Sequence, residues 1–225
     1  MNNMGFNIES FVYNLALGLP GLLFGVVLHE VAHGYIALRF GDPTAKNAGR
    51  LTFNPIAHLD VFGGVVMPLL GAIFGGIMFG WAKPVPIDPR YFAVAKFRKA
   101  IFWVSFAGPL ANFILAFISG FFCVLVAKKL DPTFYFYEAF IKILRHSVDI
   151  NVIIGVFNLI PFPPLDGSKM VISFLNYEAQ RKFEELSRFG IIFLMIIMFT
   201  GILSFVFRPA LFFAQKMLEL FFSVL

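Results

Sequence analysis

A chain of 225 residues that is 59% hydrophobic, holds 32 phenylalanines and is only 14% charged carries more apolar surface than a soluble domain of this size can bury. The formal net charge of +5 comes from 18 Lys and Arg dispersed between apolar segments with no basic run, which suits topology signals and anionic-lipid contacts and disfavours nucleic acid. Cys123 is the single cysteine, so an intrachain disulfide is excluded and redox chemistry has no support.

The first apolar segment covers residues 11–40. A cleaved signal peptide is disfavoured there, because residues 1–10 contain no Lys or Arg and the apolar stretch continues through a polar cluster that cleavage would strand. Further apolar segments run over residues 61–81, 100–127, 148–165, 189–207 and 209–225. Lys216 and Glu219 make the last one amphipathic, which places it partly at the interface. Pro-rich breaks fall at 81–89 and 161–164. Asp60 and Asp149 flank apolar segments and mark helix ends, with Asp149 at the N-cap of the fourth, and His58 reads as a satisfied loop histidine. The predicted fold is an all-α polytopic membrane protein, a bundle of about five to six apolar segments in one domain over 1–225, with a catalytic core at about 11–170.

His29-Glu30-Val31-Ala32-His33 sits inside the first segment, where ionisable groups are costly and therefore mark function. In a helix, residues i and i+4 share a face, so His29 and His33 can bind one metal while Glu30 acts on a metal-bound water. This pattern predicts one zinc ion and a hydrolytic reaction. A third ligand is needed, and Asp166 at the end of the fourth segment is the best candidate.

The two halves of this site meet only under one topology. If 61–81 crosses the bilayer, the ends of segments one and four fall on opposite faces, roughly 30 Å apart. If 61–81 is re-entrant, both ends share a face. The re-entrant arrangement puts twelve Lys and Arg on that face against five on the other, whereas a spanning segment gives eight against nine. Gly63, Gly64, Gly71, Gly75, Gly76, Gly80 and Pro68 also suit a broken hairpin buried against protein. The positive-inside bias then orients the site to the cytoplasm, with His29 roughly 15 Å inside that face because it precedes Arg39 by ten residues.

The sequence Gly108-Pro109-Leu110-Ala111-Asn112 and the stretch Asn158…Leu165-Asp166-Gly167, following the HExxH in that order, resemble the site-2 protease family of intramembrane zinc metalloproteases. Asn54-Pro55-Ile56-Ala57-His58 and Trp81-Ala82-Lys83-Pro84-Val85-Pro86 further resemble a compact bacterial subgroup without PDZ or CBS domains. The resemblance implies His29, His33 and Asp166 as zinc ligands, Glu30 as general base, and cleavage of a membrane-embedded peptide on the cytoplasmic side of a bacterial inner membrane. It also places Asn112 and Asn158 near the substrate. Both are uncharged donors suited to a developing oxyanion, and both equally suit hydrogen bonds between helices.

The expected partners are a single-span membrane-protein substrate, the lipid bilayer and a separate membrane adaptor. A substrate helix must unwind before hydrolysis, and the irregular stretches at 50–53 and 83–87 offer a strand edge or β-hairpin for it on the cytoplasmic side. The helices over 189–225 are gate candidates. Two other classes compete: a metal-binding or metal-transport membrane protein, weakened by the charge-free interiors of 100–127 and 189–207, and a catalytically inactive substrate-binding relative, disfavoured by Glu30.

Overall fold

A computed structural model describes residues 8–60, 62–63 and 82–225. The described residues are helical and irregular, with no strand among them. The segment expected to be re-entrant, 61–81, lies outside the described residues apart from 62–63. In chain order the helices are α1 (Ile8–Arg39), α2 (Thr44–Asn47), α3 (Phe97–Lys129), α4 (Tyr137–Asn158), α5 (Asp166–Ile172), α6 (Tyr177–Ser187), α7 (Gly190–Thr200) and α8 (Leu203–Val224).

By length and composition, two stretches among the described residues suffice to cross a membrane: Val12–Arg39 with 28 residues and Val94–Lys129 with 36. At 1.5 Å per residue the shorter extends about 42 Å against a hydrocarbon core of about 30 Å. Their outward faces carry Phe24, Ile114 and Phe117, all exposed, as helices solvated by lipid require.

Helices α1, α3 and α4 pack on one another, and α8 lies against α3 and α4. Ala116, Val124, Val148, Val152, Ala214 and Leu218 form the core where α3, α4 and α8 meet. A second cluster of Ala37, Phe92, Ala100 and Val104 seals the end of α1 against the start of α3 and the loop before it. Small residues decide how closely α4 approaches α1. A Cβ on Gly21 would lie 2.6 Å from the Ser147 Cα, and one on Gly25 would strike the Asn151 amide.

Three boundaries differ from the sequence expectation. The fourth apolar segment was expected at 148–165, but α4 starts at Tyr137, in a charged stretch supported by a Lys142–Glu138 ion pair of 3.2 Å, and ends at Asn158 before Pro161. Asp149 is therefore inside a helix and caps nothing. The crossing expected over 189–207 is interrupted where Gly201, at φ +71°, closes α7. With 11 residues, α7 extends only about 16 Å. Both its ends face the end of α4: the Gly190 backbone abuts Pro163, while Leu194, Ile197, Ile202 and Leu203 line one apolar cavity with Val156, Leu159 and Phe162. Pro209 falls inside α8, near its start, rather than at a boundary.

Candidate functional site

The HExxH occupies the last third of α1, and the helix puts both imidazoles on the face that meets α3. Asp166 opens α5, directly after the proline-rich turn that ends α4. Asp166, far from the two histidines in sequence, converges on them. His29 Nε2 and His33 Nε2 are 3.0 Å apart, and each is 3.1 Å from Asp166 Oδ2. All three side chains are buried.

The triangle fits zinc. Four-coordinate zinc with ligands at about 2.0–2.1 Å needs neighbouring ligand atoms about 3.3 Å apart, within a few tenths of the observed edges. Among the described residues this is the group of His, Cys, Asp or Glu side chains able to hold a metal ion. Each imidazole is oriented from behind. His33 Nδ1 donates to the Val104 carbonyl at 2.6 Å and His29 Nδ1 donates to Asn112 Oδ1 at 2.7 Å, so both Nε2 lone pairs point inward. Gly108 makes room for the pair, since a Cβ there would sit 2.6 Å from His29 Cε1 and 2.7 Å from His29 Nε2. Next to it, Pro109 has no N–H for the Ser105 carbonyl, which removes one helical hydrogen bond beside the two imidazoles.

Glu30 faces the same cavity of about 330 Å3, which Pro84, Val85, Asn158 and Lys169 also line. Its Oε2 accepts the Val85 N–H at 2.7 Å. Val85 lies between two prolines, so that N–H is the single donor in the triplet. Lys169 Nζ stands 3.6 Å from Asp166 Oδ1, the oxygen turned away from the histidines.

The loop over the cavity is tied down at several points. Arg50 Nη2 donates to the Lys83 carbonyl at 2.7 Å, and the Lys83 N–H donates to the His58 carbonyl at 3.0 Å. His58 is buried in the loop with Nε2 2.9 Å from the Thr52 carbonyl and Nδ1 without a partner, so the expectation of a satisfied histidine holds for one ring nitrogen only. Fully buried Asp42, just past α1, accepts the Asp88 N–H at 2.7 Å and the Thr44 N–H at 2.9 Å. Asp88 in turn holds Arg90, whose guanidinium keeps the partly buried carboxyl below the usual carboxylate range. Residues 50–53 and 83–87 are irregular. Within 83–87, with the Lys83 and Val85 N–H groups engaged and prolines at 84 and 86, the Ile87 N–H is the donor left for an added strand in this conformation.

The two asparagines separate. Asn158 lines the cavity, with Nδ2 bonded back to the Ile154 carbonyl at 3.0 Å. Asn112 is fully buried behind His29. Its Nδ2 donates to the Gly25 carbonyl at 3.1 Å and to Asn151 Oδ1 at 2.9 Å, so both amide hydrogens are engaged. Asn151, Ser147 and Ser119 continue this polar chain through the bundle. Sequence reasoning did not single them out, although an Asn four residues after a Ser, facing the Gly21 and Gly25 positions of a membrane helix, was the available signal.

Comparison with known proteins agrees with this geometry. Residues 17–199 match peptidase family M50. The chain is 36% identical over 209 residues to "Putative zinc metalloprotease YwhC" of Bacillus subtilis, covering 91% of each. It is 30% identical over 195 residues to "Putative zinc metalloprotease Rip2" of Mycolicibacterium smegmatis, covering 87% of this chain and 71% of the relative. With "Putative zinc metalloprotease MJ0611" of Methanocaldococcus jannaschii it shares 25% over 166 residues, covering 74% of this chain and 72% of that one. No solved structure matches. A buried His-His-Asp group that fits one zinc ion, two long apolar helices and a family match over most of the sequence agree: the chain belongs to peptidase family M50, the site-2 protease family of membrane zinc metalloproteases.

Proposed function

We propose that this chain is an intramembrane zinc endopeptidase that hydrolyses a peptide bond in or near the transmembrane segment of a single-span membrane protein. The observation that carries this reading is the convergence of His29, His33 and Asp166 on one point, with the Glu30 carboxylate lining the same cavity. His29, His33 and Asp166 would hold the metal. Zinc bound there supplies a Lewis acid that activates water and polarises the scissile carbonyl.

The remaining steps belong to the side chains. Glu30 takes the proton of the attacking water and hands it to the leaving amine. Val85 holds one Glu30 oxygen, which orients the carboxylate and leaves the other oxygen for the proton. Asn158 is the amide we assign to the substrate or its developing oxyanion, because it lines the cavity. Asn112, with both hydrogens engaged, orients His29 instead.

The whole chain acts as one peptidase domain. Helices α1, α3 and α4 cross the bilayer, amphipathic α8 lies partly at the interface, and residues 61–81, all but 62–63 outside the described residues, would enter and leave from the face that holds the site. Together with α7 these make the five to six apolar segments embedded in lipid. The charge bias supports a cytoplasmic opening in a bacterial inner membrane. A separate membrane adaptor would recruit the substrate.

Wild type and Glu30→Gln purified in detergent test the mechanism. Both should bind one zinc ion per chain, while cleavage of a model transmembrane peptide falls by about 10²–10⁴-fold in the variant. Equal cleavage by both proteins would refute Glu30 as the base, and several zinc ions bound without cleavage would favour transport.

A further inference from the structure

Asn151 is fully buried on α4, away from the cavity, and nothing in the reaction as described uses it. Its surroundings nevertheless fix a direction. An amide presents an acceptor on one side and two donors on the other, and the network around it decides which way it faces. Asn151 Nδ2 meets two backbone carbonyls, Gly21 O at 3.1 Å and Ser147 O at 2.9 Å. Carbonyls only accept, so this end of the amide must be the nitrogen.

The rest follows link by link. Asn151 Oδ1 is turned to Asn112, which must answer with Nδ2 at 2.9 Å. The second hydrogen of that Nδ2 goes to another carbonyl, Gly25 O, at 3.1 Å. Asn112 Oδ1 is then the atom facing His29 Nδ1 at 2.7 Å, and an acceptor there requires the ring proton on Nδ1. A neutral imidazole has one ring proton, so Nε2 presents a lone pair to the triangle with His33 and Asp166.

We infer that Asn151 is a positioning residue for the metal site: acting through Asn112, it locks His29 in the Nδ1–H tautomer that ligates through Nε2. The lock originates in three helical carbonyls, two on α1 and one on α4, whose polarity cannot be reversed. Gly21 and Gly25 serve the same end, because side chains there would keep α4 from bringing the amide within reach. The inference rests on His29 as a zinc ligand.

Zinc affinity measured by chelator competition, on intact protein in detergent, tests it without relying on turnover. Asn151→Leu should weaken zinc about 10–100-fold, the range for residues that orient a metal-bound histidine. The 15N spectrum of the zinc-free variant should show His29 losing its Nδ1–H preference. Because Asn151 acts through Asn112, Asn112→Leu and the double variant should lose the same affinity. A general packing role predicts losses that add. Asn151→Ser carries the same comparison if the leucine variant does not fold. Zinc affinity within twofold of wild type in the Asn151 variants, or additive losses, would overturn the inference. Wild-type zinc affinity in His29→Ala would instead remove the ligand assignment beneath it.

Discussion

Gly108→Ala pits helix propensity against metal geometry. In the interior of α3, alanine should favour the helix by about 1 kcal/mol. The new methyl, however, would lie 2.6 Å from His29 Cε1 and 2.7 Å from Nε2, whereas ordinary contact begins at 3.4 Å. The His29 ring would have to retreat by about 0.7–0.8 Å and the His33 ring, whose Nε2 lies closer still, by more, comparable to the strain of an overpacked core, about 1–3 kcal/mol. Neither can retreat and still ligate, since the bonds to Asn112 and Val104 at 2.7 Å and 2.6 Å hold both rings from behind. Metal–ligand distances tolerate only about 0.2 Å. Without zinc nothing fixes the Nε2 atoms, and a ring can swing away by giving up one of those bonds at about 1 kcal/mol, which the helix gain offsets. The zinc-free variant should therefore melt no lower than wild type, while zinc affinity by chelator competition falls roughly 10–100-fold, the strain expressed as binding. Affinity within twofold of wild type would show that the histidines do not ligate in the positions described.

Asp166→Asn removes the anionic member of the triangle, and zinc affinity by the same competition should fall at least about 100-fold, with cleavage restored in part by excess zinc. Asp42→Ala leaves the Thr44 and Asp88 N–H groups buried without their carboxylate, at about 1–3 kcal/mol each. A lowered melting temperature and faster protease nicking within residues 82–92 should follow, and an unchanged melting temperature would contradict the role given to Asp42.

The chemistry was more legible than the architecture. His29, Glu30, His33 and Asp166 could be chosen from sequence because zinc demands particular donors at particular spacings, and a polar cluster in an apolar segment is conspicuous. Helix ends in the bilayer obey weaker rules. Apolarity marks where lipid contacts a helix, and α4 begins in charged sequence because its first turns lie beyond the apolar stretch. The break at Gly201 was hidden because glycine is common within membrane helices, so one more in an apolar run carries little information. The motif places Asn112 near the substrate, whereas it stands behind His29, and its role depends on which partners take its hydrogens. Those partners, Gly25 O and Asn151 Oδ1, come from α1 and α4 and have no sequence spacing to betray them.

The site has a wet side and a dry side, and the difference makes a last prediction. Toward the loops, Glu30, Asn158 and the half-exposed Lys169 open the cavity to water. Behind His29, Asn112, Asn151, Ser147 and Ser119 descend into the apolar bundle. The buried side-chain atoms without a partner, among the described residues, are Arg50 Nε and His58 Nδ1, both in the loop region, so every polar atom on the dry side is paired. Position along this chain should matter more than polarity. Ser119 is its far end, bonded only to the Ser147 hydroxyl at 2.9 Å, and no amide orientation depends on it. Ser119→Ala removes one hydrogen bond of a kind that contributes about 0.6 kcal/mol within membranes and rarely more than about 1.7. Unfolding in detergent should register a loss of that size and zinc affinity should not change. A loss above about 2 kcal/mol, or any weakening of zinc, would mean that the lock on His29 begins lower than the carbonyls of Gly21 and Ser147.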